Sequence, residues 1–192
     1  MKVIKVKHLI IITGASGTGK TTVRNYLKDK YHVQPVITHT TRPPRFHEQQ
    51  GVDYYFETEP SMQQLHLLEE VNYNNHHYGS SFEGLQRAWQ KSDVIEIVLD
   101  TAGAITYFQK LPHQQLILLF LTVSQSADLK ERMLSRGDDQ QLVNQRLEST
   151  EYQRDLHLPA ALKPYAHVIV NDNWQQTKLK LDQIMQNLME EQ

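Results

Sequence analysis

The chain alternates short unbroken apolar runs with segments whose apolar residues recur every three or four positions. Leu9 to Thr13 and Leu116 to Leu121 are such runs, Val94 to Leu99 is broken only by Glu96, and the shorter His167 to Val170 reads as the last strand. Runs of this length read as strands buried on both faces, as in a sheet covered by helices on either side. Pro35-Val36-Ile37 is a plausible further strand. Helical spacing is present over Thr21 to Tyr31, Phe82 to Lys91, Ser126 to Ser135 and about Gln140 to Leu156. A long C-terminal helix, capped near Asp172 or Thr177, carries Leu181, Ile184, Met185 and Leu188 inward. Strands alternating with helices predict an α/β fold: a central parallel sheet with right-handed crossovers and helices on both faces, three layers in all.

Residues 38–90 break that rhythm. Thr38 to Tyr55 is rich in Thr, Arg, Pro and His, and no helical period survives Pro43-Pro44. Val52 to Phe56 then reads as a strand, and Ser61 to Glu70 as a short helix with Met62, Leu65 and Leu68 inward. Asn72 to Ser81 reads as strand or loop. The segment is expected to form an inserted lobe.

The chain has 192 residues, a net charge of −2 and no cysteine. One domain with lobes fits that length. The charge balance argues against general nucleic-acid binding, and the lack of cysteine excludes disulfides and thiolate chemistry. Met1 to Lys7 is basic and alternating, with no long apolar stretch resembling a leader, and no run approaches a membrane span. A cytoplasmic protein without membrane partners is expected, as a monomer or a homodimer. The ten histidines form no metal-binding pattern.

The most specific chemistry follows the first strand. Gly14-Ala15-Ser16-Gly17-Thr18-Gly19-Lys20-Thr21 matches the phosphate-cradling P-loop G-x-x-x-x-G-K-[ST]. Glycines let successive N–H groups turn inward around a polyphosphate. Lys20 then faces the β- and γ-phosphates, Thr21 offers a hydroxyl to Mg²⁺, and the helix that follows aims its positive end at the anion. The eight loop residues and the adjoining Thr22 are thus expected to bind ATP.

A second anion site is suggested by Arg42 and Arg45, which flank two prolines and so sit on stiff backbone. Tyr54 and Tyr78 can donate phenolic O–H groups to the same anion. Two arginines and two tyrosines suit a monophosphate; a solvated Arg-Pro loop with core tyrosines is the alternative. Asp100 ends a strand at the carboxyl edge of the sheet, where ligands of open α/β folds gather. It can order Mg²⁺ waters, bind an acceptor base, or simply cap a turn.

The order Thr38-His39-Thr40-Thr41-Arg42-Pro43-Pro44-Arg45, Gly51-Val52-Asp53-Tyr54-Tyr55-Phe56 and Tyr78-Gly79-Ser80 resembles guanylate kinase. The likeness runs nearly end to end, through the P-loop, Asp100 with Gly103, Arg132 to Gly137, Arg146 and Val168 to Asp172. It implies a core of residues 1–37, 91–128 and 157–192, a GMP-binding lobe over 38–90, and a lid with its following helix over 129–156. Arg42, Arg45, Tyr54 and Tyr78 would hold the GMP phosphate, with Thr38, Glu69 and Ser80 reading guanine and Asp100 beside the nucleotides. A carboxylate at Glu69 accepts from N1–H and the exocyclic amine, a pattern adenine lacks; Glu70 is the alternative if the register slips. Arg132, Arg136 and Arg146 would be lid arginines over the transferring phosphoryl group, whereas spacing alone reads them as solvated helix charges. Asn171 would lie near adenine. Lys20, Arg42 and the three lid arginines would carry the transfer of the γ-phosphoryl of ATP to GMP.

Three departures stand out. The chain is about four residues shorter between Phe56 and Glu69, Val98 replaces a common acidic residue, and Ala102 replaces a common glutamine. Two rival readings follow: a P-loop kinase for another nucleotide or a phosphosugar, and a binding module of similar fold with little turnover.

Overall fold

Leu9, Ile10, Ile11 and Ile12 are all fully buried. Burying successive residues requires cover on both faces of a strand, and each such side chain contributes about 1.5–3 kcal/mol. The computed structural model describes residues 7–73 and 75–190. The basic segment of residues 1–6 therefore lies outside the described residues. The chain opens with β1 (His8–Thr13), α1 (Lys20–Tyr31) and β2 (Gln34–Pro35). Then come β3 (His39–Thr40), β4 (Tyr55–Phe56), α2 (Glu59–Met62), β5 (Leu67–Tyr73), β6 (His76–Ser81) and α3 (Phe82–Trp89). The chain returns through β7 (Val94–Val98), α4 (Thr101–Lys110) and β8 (Leu116–Thr122). It ends with α5 (Asp128–Ser135), α6 (Gln140–Glu148), α7 (Thr150–Asp155), β9 (Ala166–Val170) and α8 (Trp174–Glu190).

The central sheet has the order β2-β7-β1-β8-β9 with every pairing parallel. Leu9 and Ile11 face a cluster with Leu85, Ala104, Tyr107 and Phe108 from α3 and α4. Ile10 and Ile12 face the other way, onto Val23 and Leu27 of α1 and Leu181 and Met185 of α8. These are the three layers that the apolar runs predict. β2 and β7 lie on one side of β1 and β8 and β9 on the other, so the order reverses at the carboxyl end of β1. Ligands of such sheets bind at that crevice.

Residues 38–90 carry a second sheet, β4-β3-β6-β5. Here several boundaries differ from the sequence reading. The expected helix over Ser61–Glu70 is one turn, α2, followed by strand β5. Thr58 caps that turn reciprocally with Ser61, but β5 pairs with β6 from Leu67 onward. Cross-strand pairing in the β5–β6 hairpin overrides a helical spacing that spans only two turns. The strand expected over Val52–Phe56 shrinks to β4, because Gly51 turns the chain at φ 73°. The strand expected at Pro35–Ile37 begins and ends earlier, at Gln34–Pro35. The helix expected over Gln140–Leu156 breaks at Ser149, whose extended backbone caps α7 through a bond from the Tyr152 N–H. The cap of α8 is Asn173, next to Asp172; its side chain accepts from the N–H groups of Gln175 and Gln176, while Thr177 lies inside the helix.

Gly14 shows how tightly the crevice is drawn. Its φ is +129°, and a Cβ there would lie 2.1 Å from the Leu121 carbonyl oxygen of β8. Gly14→Ala combines backbone strain with a clash against main chain. We expect it to destabilise the fold by roughly 3 kcal/mol, lowering the melting temperature by roughly 6–12 °C. Thermal unfolding followed by circular dichroism checks this; an unchanged midpoint contradicts it.

Candidate functional site

Three hollows adjoin at the carboxyl edge of the central sheet. The first, about 690 Å³, is lined by Ser16, Gly17, Gly19, Lys20, Thr21, Thr22, Arg132, Arg136 and Asn171, among others. A middle hollow of about 340 Å³ shares Ser16 and Lys20 with it and adds Val98, Asp100, Arg146 and Asp155. A cleft of about 1310 Å³ shares Asp100 and Arg146 with the middle one and extends along Leu67 to Asn72. Lys20 stands where the first two meet, and Asp100 where the second opens into the third.

The loop from Gly14 to Gly19 is held open by its backbone. Gly17 and Gly19 adopt φ of 87° and 98°. The Thr18 hydroxyl donates to the Ala15 carbonyl at 2.8 Å, closing the turn. Gly19 caps α1 without a side chain, so no side chain competes for the N–H groups of the first turn. Lys20 Nζ donates to the carbonyls of Gly14 and Ala15 at 2.6 and 2.9 Å. Burial pulls its ammonium down to about 8, with Asp155 opposing and Arg136 and Arg146 reinforcing the shift. Asn171 lines the hollow, yet its amide braces the loop. It donates to the Thr18 carbonyl at 2.9 Å and accepts from the Thr177 hydroxyl at 2.8 Å.

The large cleft holds Glu69. Strand register sets Glu69 opposite Ser80, and the Ser80 hydroxyl donates to Glu69 Oε1 at 2.9 Å. Tyr107, buried on α4, donates to the Ser80 oxygen at 2.8 Å. Burial raises the Glu69 carboxyl above its ordinary range, and the negative charge of Asp100 adds to the rise. Glu70 also lines the cleft, but its carboxylate is held by His77 of β6. Thr38 sits just before β3, its carbonyl accepting from the Tyr55 N–H at 2.8 Å.

Tyr78 lies two residues before Ser80 on β6, and alternation puts both on one sheet face. Arg42 Nε donates to the Tyr78 hydroxyl at 3.2 Å, and its guanidinium lies 5.7 Å from the centre of the Tyr54 ring. Tyr54 and Tyr78 meet edge to face. These three predicted residues are brought together. Arg45 is exposed. Glu48, which belongs to no motif in the sequence, accepts from Arg42 Nη2 at 2.8 Å and from the Arg45 N–H at 2.7 Å. That one carboxylate closes the proline turn and orients its first arginine. Its position three residues past Arg45 is the only sequence signal.

The three arginines expected in a lid lie on α5, its C-terminal turn and α6. Arg132 donates to the Asn171 carbonyl at 2.9 Å. Arg136 binds Asp138 through both Nε and Nη2, and Arg146 approaches the same carboxylate at 4.0 Å. Asp100 caps α4 by accepting from the Gly103 N–H at 2.7 Å, so the turn-capping alternative is realised while the residue also lines both hollows. Arg154 and Asp155, which the sequence reading passed over, converge on the same helix start. Adjacent opposite charges on a short helix look like surface until β7 and α4 are packed against them.

Of the departures, Val98 lines the middle hollow and Ala102 the large cleft. Glu96, two residues before Val98 on the same strand face, is buried and bound by Arg24 Nε at 2.7 Å. Among the described residues no three His, Asp or Glu side chains cluster as a metal site. No helix among them is long and apolar enough to cross a membrane.

Residues 6–188 match the family model described as guanylate kinase. A guanylate kinase from Thermus thermophilus is 34% identical over 171 residues, covering 86% of this chain and 74% of that protein. One from Synechococcus sp. is 33% identical over 185 residues, covering 93% and 82%. One from Streptococcus mutans is 31% identical over 171 residues, covering 85% and 78%. The crystal structure of guanylate kinase from Anaplasma phagocytophilum superposes with a TM-score of 0.65 at 21% identity, covering 95% of this chain and 86% of that one. That last likeness is one of fold.

Proposed function

The chain belongs to the guanylate kinase family, and from that premise we propose that it transfers the γ-phosphoryl group of ATP to GMP, giving ADP and GDP. The observation that carries this reading is the continuity of the three hollows through Lys20 and Asp100. Triphosphate on one side and an acceptor on the other would meet in the middle hollow.

In this reading the loop amides and Lys20 hold the donor phosphates, with Ser16, Thr21 and Thr22 along the same wall. Arg42, Tyr54 and Tyr78 align the acceptor phosphate, joined by Arg45 when the loop folds inward. Glu69, Ser80 and Thr38 read the base. Residues 38–90 act as the acceptor lobe and 129–156 as the lid. Arg136 and Arg146 exchange Asp138 for phosphate oxygens as the lid closes, which excludes water as a competing acceptor. No general base is required, because alignment and charge neutralisation suffice for transfer between phosphates.

The residues present fit Mg²⁺. That ion is usually held by one or two carboxylates or hydroxyls together with substrate phosphates, without a full protein cage. Thr21 beside Lys20 on the donor hollow offers a hard oxygen donor of this kind, with the donor phosphates supplying others. When bound, the ion neutralises charge on the phosphate oxygens.

The test is a coupled ADP-release assay with GMP, dGMP, AMP, UMP, CMP and phosphosugars, against Lys20→Ala as background. Absence of GMP-dependent release above that background removes the assignment. A finer expectation concerns the clamp. Lysine cannot span Tyr78, Glu48 and a phosphate as the planar guanidinium does. Arg42→Lys is expected to raise KM for GMP about tenfold or more while KM for ATP stays within about twofold. Equal effects on both substrates would argue against an acceptor-side role.

A further inference from the structure

We propose that Arg154 is a positioning residue for acceptor recognition, acting through Asp100. The inference rests on the acceptor site proposed above. Asp100 stands where the middle hollow meets the acceptor cleft, and both its oxygens are fixed. Oδ1 accepts from the Gly103 N–H at 2.7 Å, and Oδ2 accepts from Arg154 Nη2 at 2.7 Å. A carboxylate has about four lone-pair sites, so about two remain for a ligand. They are held in one orientation rather than free to rotate.

Arg154 is itself locked. Its Nε donates to Asp155 Oδ1 at 3.0 Å and to the Thr101 hydroxyl oxygen at 3.1 Å. Asp155 is almost fully buried and also accepts from the Thr101 N–H and hydroxyl, at 3.1 and 2.6 Å. The sequence of contacts runs from a buried anchor on α7, through the guanidinium, to a carboxylate facing the ligand.

Charge gives the arrangement its purpose. Glu69, Glu70, Asp100, Glu151 and Arg154 all line the acceptor cleft, with Lys110 and Arg146. An acceptor monophosphate brings further negative charge into that space. Without Arg154, Asp100 would face Glu69 and the acceptor unneutralised, and its free oxygen would turn away from the cleft or repel the ligand. With Arg154 in place, Asp100 and Glu69 present two ordered acceptors to a base that offers two neighbouring donors, N1–H and the 2-amino group.

A substrate comparison and a double-mutant cycle test this. Inosine monophosphate keeps N1–H and lacks the 2-amino group. Arg154→Met is expected to lower kcat/KM for GMP about tenfold or more, with KM for ATP within about twofold. The GMP-to-IMP ratio of kcat/KM should narrow by about the same factor, and Arg154→Lys should recover part of it. In an Asp100→Asn background the same Arg154→Met change should cost less than about threefold, because the partner it acts through is already altered. Additive effects in the cycle, an unchanged GMP-to-IMP ratio, or equal losses toward ATP and GMP each overturn the proposal. If Arg154→Met loses its fold by circular dichroism, Arg154→Lys carries the same comparison. Wild-type turnover with GMP separates the two questions: its absence would remove the proposed function, whereas its presence with an additive cycle removes only the role of Arg154.

Discussion

Lys20→Ala is expected to reduce kcat for GMP-dependent ADP release by a factor of about 10²–10³ or more, the range for deleting one preorganised charge at a transition state. Among the described residues no other cation lines both the donor and the middle hollow, and Lys20 does so from the first turn of α1. Its ammonium rests on the Gly14 and Ala15 carbonyls at 2.6 and 2.9 Å, so it is already directed into the loop that would hold the phosphates. Retention of more than about a tenth of wild-type kcat would contradict this placement.

The same residue gives a pH dependence with a definite sign. Burial holds its folded-state pKa at about 8, below the value of about 10.4 in an unfolded chain. Between those values the unfolded chain keeps a proton that the folded one has released. Stability from this group therefore rises with pH across that window, and below it the fold bears the full cost of a buried ammonium. Activity runs the opposite way. Triphosphate capture needs the charged form, so kcat/KM for ATP should fall as pH rises through about 8. Bound phosphate raises the pKa again, so the alkaline limb of kcat should lie at higher pH than that of kcat/KM. A kcat/KM profile flat from about pH 7 to 9.5 would refute the assignment.

Glu69→Ala is expected to have the second largest effect, on selectivity rather than on the transfer itself. The ratio of kcat/KM for GMP to that for AMP should fall by about 100-fold or more. A pocket built to accept hydrogen bonds rejects a base that cannot donate them, because its buried oxygens are left unpaired. Glu69 meets that description: burial raises its carboxyl, and the Ser80 hydroxyl, itself backed by Tyr107, fixes Oε1. Its loss should leave KM for ATP nearly unchanged. If the GMP-to-AMP ratio is the same in wild type and variant, Glu69 is not the base reader.

The residues most readily read from the sequence are those whose role depends on near neighbours. Lys20 follows a glycine loop and a buried strand along one short stretch of chain, so spacing carries both the fold and the chemistry. Glu69 is a different case. The Thr-Thr-Arg-Pro-Pro-Arg resemblance points to it, but Met62, Leu65 and Leu68 suggest a helix around it. In the structure it lies on β5, opposite Ser80, and Lys110 of α4 donates to the Leu68 carbonyl at 2.7 Å. Neither contact has a local signature.

The same division explains the missed residues. Glu48 acts on Arg42 from the far side of the proline pair, yet only the folded turn shows that one carboxylate serves both arginines. Arg154 and Asp155 meet Asp100 and Thr101 across a long span of chain, and no periodicity records that pairing. Asn171 is similar: a strand-end residue by sequence, it braces the Thr18 carbonyl across the sheet.

By itself, the sequence determined the layered α/β core and the phosphate loop, because apolar runs, helical periods and glycine spacing act through neighbours along the chain, while the kinase family was legible only as a resemblance carried by the motifs from Thr38 to Ser80. Only the tertiary structure decided the short mixed sheet of residues 38–90, the break at Ser149, and the carboxylates that orient the arginines. Those depend on which groups strand pairing, helix capping and ion pairing bring within hydrogen-bond reach, and the energies arise only once the chain has folded around them.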